Sequence, residues 1–152
     1  MEFYLVRHGE AVSEKQDPER PLTQAGRQDV EQVARLASAR NVQVSVIFHS
    51  GILRAKETAE ILAAHLHPAM GVRQIDGLLP QDDPMLAKSE LETAQQSVML
   101  VGHLPHMKRL AGLLATGNPE REVAEFAPAT MICFSYEDCQ WKIAGILAPQ
   151  PN

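Results

Sequence analysis

Apolar residues in this chain come in short runs, and three of those runs stop abruptly at a histidine. Phe3 to Val6 gives way to Arg7-His8-Gly9. Val42, Val44, Val46, Ile47 and Phe48 lead into His49-Ser50-Gly51, and Ser97 to Val101 runs into Gly102-His103-Leu104-Pro105. Runs of this length, rich in β-branched residues, predict buried strands. Between them the apolar positions recur at helical spacing. Val30, Val33, Ala34 and Ala37 predict a helix from an N-cap at Thr23 to about Ala39. Leu53, Ala59, Leu62, Ala63 and Leu66 predict a second, capped by Ser50 and closed by His67-Pro68. A short strand follows over Gly71 to Ile75, then a loop over Asp76 to Pro84 and a weak helix over Met85 to Gln95. Leu110, Ala111 and Leu114 mark a helix over His106 to Ala115, stopped by Thr116-Gly117-Asn118-Pro119. Thr130 to Tyr136 and Cys139 to Leu147 predict a hairpin-like pair joined through Glu137-Asp138, with Trp141 helping to close the core. Pro149 to Asn152 is expected to be a loose tail.

Strands alternating with helices imply an α/β layered domain: a mostly parallel central sheet flanked by helices, with one antiparallel pair at the end. No repeat or linker interrupts the pattern, so residues 1–152 are expected to form one domain. That length lets a fold bury about two-thirds of the surface of its unfolded chain. Hydrophobic content of 45% and charged content of 22% exclude disorder without naming a function. The net charge of −5, with no run of Lys or Arg, argues against a nucleic-acid surface. Cys133 and Cys139 lack metal-like spacing and are expected to be small buried residues, which fits a reducing compartment. The apolar start is too short to span a membrane and has no basic flank, so the expected location is cytoplasmic, without membrane association. The oligomeric state is left open, a monomer included.

In open α/β sheets ligands bind beyond the carboxyl ends of the strands. Arg7, His8, Arg54 and His103, distant in sequence, are expected to meet there. A guanidinium offers forked donors suited to phosphate oxygens. Arg54 falls in the first turn of its helix, where a cation opposes the helix dipole unless an anion is bound. No nucleophilic serine elbow and no glycine-rich phosphate loop is present. Two arginines and two imidazoles therefore suit phosphoryl transfer, with the arginines holding His8 below its ordinary pKa of about 6.5 and so neutral and nucleophilic.

Three ordered motifs, Leu-Val-Arg-His-Gly-Glu at 5–10, Ser-Gly-Ile-Leu-Arg-Ala-Lys-Glu-Thr-Ala at 50–59 and Val-Gly-His-Leu-Pro at 101–105, resemble those of the histidine phosphatase superfamily. The short chain and Pro21-Leu22-Thr23 look most like its SixA-type phosphohistidine phosphatases. The resemblance implies a phosphoglycerate mutase-like fold, with His8 accepting the phosphoryl group, Arg7 and Arg54 binding it and His103 completing the pocket. It implies no metal and no cofactor. Ser13 stands in for the polar residue that usually contacts phosphate downstream of Arg-His-Gly. The glutamate acid of members that act on monoesters has no match, although Asp82, Asp83 and Glu10 lie in suitable regions. An imidazole leaves more readily than an alkoxide, so phosphohistidine on a protein is the expected substrate. Small phosphate monoesters, a noncatalytic phospho-ligand module and a metal site on His8, His103 and His106 are the alternatives. His49 is expected to be structural or to support the site, His65 and His67 to serve a helix end, and His106 to open a helix.

Overall fold

The computed structural model describes residues 1–151. Its elements are β1 (Glu2–Arg7), α1 (Gln24–Ala39), β2 (Val46–His49), α2 (Leu53–Leu66) and β3 (Val72–Gln74). They continue with α3 (Pro84–Thr93), β4 (Val98–Gly102), α4 (His106–Thr116), β5 (Met131–Glu137) and β6 (Gln140–Leu147). The strands form a six-stranded sheet in the order β3-β2-β4-β1-β5-β6. The first four in that order run parallel, and β5 and β6 add on antiparallel beside β1.

Alternation along the strands divides the core into two layers. Tyr4, Val6, Ile47, Met99 and Val101 pack with Val30, Val33 and Ala34 of α1 and Ala59 and Leu62 of α2. Phe3, Leu5, Leu100, Ile132 and Phe134 pack with Leu91 of α3 and Met107, Leu110 and Leu114 of α4. Leu5, Ile47, Met99, Leu100 and Val101 are all fully buried. A sheet covered on both faces needs apolar residues at consecutive positions, which is why these strands read as unbroken runs. Each such side chain contributes roughly 1.5–3 kcal/mol through burial.

Several local expectations change. β2 starts at Val46, not Val42, because the Val42 N–H closes the end of α1 on the Ala37 carbonyl (3.0 Å) and Asn41 turns the chain at φ 57°. Val44 still enters the core, outside the ladder. The β5–β6 turn is Asp138-Cys139, one residue later than expected. Glu137 pairs with Gln140, and both turn residues take positive φ (51° and 61°), which matches the twist of a two-residue hairpin. Cys139 is accordingly exposed and Cys133 half-buried, and both are free thiols. Thr23 does cap α1, accepting from the Gly26 N–H at 2.9 Å. Ser50 does not cap α2: the N-cap position is Ile52 and makes no side-chain bond. In the tail, Gln150 donates its N–H to Gln32 Oε1 (2.9 Å), while Asn152 lies outside the described residues. Among the described residues no helix is long and apolar enough to cross a membrane.

Candidate functional site

Strand register places the site. Arg7 pairs with Gly102 across β1 and β4, and the His8 N–H continues the ladder to the Gly102 carbonyl at 3.0 Å. His8 and His103 therefore leave adjacent strands at the same level, and their ring centroids lie 5.1 Å apart. On the other side of β4, His49 pairs with Val101, which sets Ser50 beside the same strand end. Ser50 Oγ lies 2.6 Å from His103 Nε2.

His8 is held tightly. Its Nδ1 is 2.7 Å from the Gly9 carbonyl, and since a carbonyl only accepts, Nδ1 carries the proton and Nε2 keeps its lone pair. The Gly9 N–H in turn donates to Thr58 Oγ1 at 3.1 Å, and the Thr58 hydroxyl donates to the Arg54 carbonyl at 2.8 Å. Gly9 has no room for a side chain: a Cβ there would meet Val30 Cγ2 at 2.8 Å and the Gly26 carbonyl oxygen at 3.0 Å. The segment after His8 is thus pressed between the starts of α1 and α2.

Around the imidazoles stand cations. Arg7 Nη1 donates to the Phe126 carbonyl at 2.9 Å, which fixes the guanidinium. Arg7 Nε and Arg54 Nε are buried with no hydrogen-bond partner among the described residues. Buried donors of that kind are ready to meet an anion. His8 is pushed down to about 4, chiefly by burial, which outweighs the opposing Gly9 bond, and further by Arg54, Arg7 and Arg20. The arginines lower it as expected, and desolvation, which the sequence does not reveal, is the larger cause. His103 is pushed down to about 3, again by burial first and then by His8, Arg54, His106 and Arg20. Both rings are neutral at neutral pH.

The structure thus brings Arg7, His8, Arg54 and His103 together. Ser13 is exposed, and its Oγ accepts the Gln16 N–H at 3.3 Å within its own turn. Each candidate carboxylate is engaged locally. Asp82 accepts the Leu79 N–H (2.9 Å), Asp83 caps α3 through the Met85 N–H (2.9 Å), and Glu10 accepts the Thr23 hydroxyl (3.0 Å). His49 Nδ1 accepts the Gly51 N–H at 3.0 Å, a structural role at the start of the turn. His65 does more than serve a helix end, reaching across to Glu31 of α1 at 2.6 Å. His67 is the left-handed C-cap of α2, and His106 opens α4, fully buried. No group of three or more His, Cys, Asp or Glu side chains among the described residues is placed to hold a metal ion.

Three contributors escaped the sequence reading. Arg20 is close enough to influence both imidazoles and Arg54, and its Nε is fixed on the Val12 carbonyl at 3.0 Å. It immediately precedes Pro21-Leu22-Thr23, so that segment carried a signal. Ser50 and Thr58 lie inside the 50–59 motif, but their partners are distant in sequence.

Residues 3–79 match the family model of the histidine phosphatase superfamily (branch 1), and the chain belongs to that superfamily. It is a hydrolase of the phosphatase class. Among individual proteins, it is 35% identical over 125 residues to an uncharacterized protein of Picosynechococcus sp., covering 77% of this chain and 74% of that one. It is 27% identical over 122 residues to the phosphohistidine phosphatase SixA of Escherichia coli, covering 77% and 76%. The solved structure of the protein histidine phosphatase SixA complexed with tungstate superimposes with a TM-score of 0.85 at 23% identity, over 98% of this chain and 97% of that one. A phosphoserine phosphatase of Entamoeba histolytica in complex with phosphoserine matches with a TM-score of 0.69 at 14% identity, over 95% of each chain. The fold is phosphoglycerate mutase-like.

Proposed function

We propose that this protein removes the phosphoryl group from phosphohistidine displayed on another protein, without a metal ion and in the cytoplasm. The observation that carries the reading is the Nδ1 contact of His8 to the Gly9 carbonyl, which leaves Nε2 as the nucleophilic atom of a neutral ring. Nε2 attacks phosphorus as the P–N bond of the substrate breaks. The departing imidazole, protonated on its other nitrogen, leaves as a neutral base. Water then attacks the phosphohistidine formed on His8, releasing phosphate and returning the free ring. Arg7 and Arg54 bind the equatorial oxygens, whose charge they neutralise through forked hydrogen bonds. Arg20 adds to the positive field, and His103 stabilises the transferring group.

The substrate class is supported by the state of the carboxylates. Asp82, Asp83 and Glu10 each serve a turn or helix start, so none is held ready to protonate a basic alkoxide. An imidazole, with a pKa of about 6.5, leaves without such help. The similarity to a phosphohistidine phosphatase points the same way.

The test is phosphate release from a phosphohistidine peptide and from an alkyl ester, glycerol phosphate, each with and without EDTA, for the native protein and His8→Ala. Release from the peptide in preference to the ester, indifferent to EDTA and absent in His8→Ala along with the acid-labile phosphoenzyme, is the expected result. Preference for the ester overturns the substrate class. Loss of turnover in EDTA overturns the metal-free route, turnover by His8→Ala overturns the nucleophile, and binding without release makes the protein a noncatalytic module.

A further inference from the structure

Ser50 opens the second sequence motif, yet it does not cap the helix that follows it. The side chain is buried, and it has two neighbours: the Ile52 N–H, 3.2 Å from Oγ, and His103 Nε2, 2.6 Å from Oγ. A serine hydroxyl has one proton to give and two lone pairs to receive with. The Ile52 N–H can only donate, so it takes one lone pair. Two arrangements remain for the contact to His103. If Nε2 carried the ring proton, Ser50 would receive two donors, and its own proton would have no acceptor among the described residues. If Nε2 presents its lone pair, the Ser50 proton is satisfied there, and the hydroxyl is paired both as donor and as acceptor. Buried polar groups adopt the fully paired arrangement wherever one exists.

We propose that Ser50 is a positioning residue that fixes His103 as the Nδ1–H tautomer, so that Nδ1–H is the donor His103 presents to the transferring phosphoryl group. This rests on the functional reading above, in which that group passes beside His103. His103 Nδ1 is buried and has no partner among the described residues, and its ring lies beside that of His8. A fixed donor without a protein acceptor is in place before the oxyanion develops and needs no reorganisation when it does. In the opposite tautomer the same atom would turn a lone pair toward phosphoryl oxygens and repel them. Burial among cations keeps the ring neutral, so its single proton must be on one nitrogen or the other.

The tautomer can be read without any substrate, which separates failure of this inference from failure of the functional reading. In protein labelled with 15N-histidine, a long-range proton–nitrogen correlation near neutral pH, assigned with His103→Asn, reports which ring nitrogen bears the proton. The expected spectrum has a pyrrole-type Nδ1 and a pyridine-type Nε2 at His103. In Ser50→Ala the two tautomers mix, and kcat on the phosphohistidine peptide falls by about 10-fold with KM little changed, because the oriented donor acts mainly on charge that grows in the transition state. Ser50→Thr, which keeps the hydroxyl, returns the native tautomer. A wild-type spectrum with the proton on Nε2 overturns the proposal, even if Ser50→Ala fails to fold. So does a folded Ser50→Ala protein that keeps both the native tautomer and the native kcat.

Discussion

Thr58→Val isolates the bond that steadies the nucleophile's backbone. Valine matches threonine in shape, and the site is fully buried, so packing is retained while the hydroxyl is lost. The Gly9 N–H then has no acceptor at 3.1 Å, and the Arg54 carbonyl loses a donor at 2.8 Å. A buried donor left unpaired costs about 1–3 kcal/mol. For a chain of this size about 2 kcal/mol lowers the melting temperature by roughly 4–8 °C. The functional effect is separable. The Gly9 peptide also supplies the carbonyl that receives His8 Nδ1–H, so a loosened peptide lets the ring rotate and lowers the fraction with Nε2 free. Turnover of a phosphohistidine peptide should fall by about 10-fold, the equivalent of one hydrogen bond. Thr58→Ser is the control: it keeps the hydroxyl and removes one methyl, costing about 1 kcal/mol of stability with kcat near native. Thermal melts and steady-state kinetics on the three proteins decide the matter. A Thr58→Val protein that melts and turns over like the native one refutes the reasoning, as does a Thr58→Ser protein that loses as much kcat.

Gly26→Ala should destabilise the protein by about 1–3 kcal/mol of overpacking despite alanine's better helix propensity. Its Cβ would lie 2.1 Å from the Glu10 carbonyl oxygen, so backbone must move; a higher midpoint in urea would contradict this. Acidification gives a second test. His8 titrates near 4 and His103 near 3 when folded, against about 6.5 unfolded. Between pH 6.5 and 4 the unfolded chain therefore binds protons that the folded one refuses, so stability falls as pH drops and is fully present above 6.5. Urea midpoints across that range should fall less steeply for His8→Asn than for the native protein, and parallel slopes would exclude a contribution from His8. Arg20→Met should move the His8 pKa upward, followed by proton NMR of the ring, since one of the cations that oppose its protonation is gone; an unchanged titration would remove Arg20 from the site.

The chain announces its strands because the middle of the sheet is covered on both faces, and no polar residue interrupts Phe3 to Val6 or Val98 to Val101. The carboxyl-edge histidines are legible for the same reason, as they end those runs. Val42 and Val44 mislead because β-branched composition signals a pleated, buried setting but says nothing of where the hydrogen-bonding partner begins. The first pairing with β4 comes only at Val46 and Val98. The Asp138-Cys139 turn lacks the glycine that ordinarily betrays a left-handed pair. Ser50 carries a local reading, that of a helix cap, which its contact with His103 overrides. Thr58 looks like any residue on a helix until Gly9 arrives from 49 positions away.

The pairing of Arg7 with Gly102 and of His49 with Val101 makes the hydrogen-bond ladder a ruler for the chemistry. Because side chains alternate between faces, adding or deleting one residue within β1 or β4 would send an imidazole to the opposite side of the sheet and leave its counterpart alone. The connections have no such restriction. A change in length within β1 or β4 therefore disrupts the site, whereas one in the exposed part of the segment between β3 and α3 leaves the register intact.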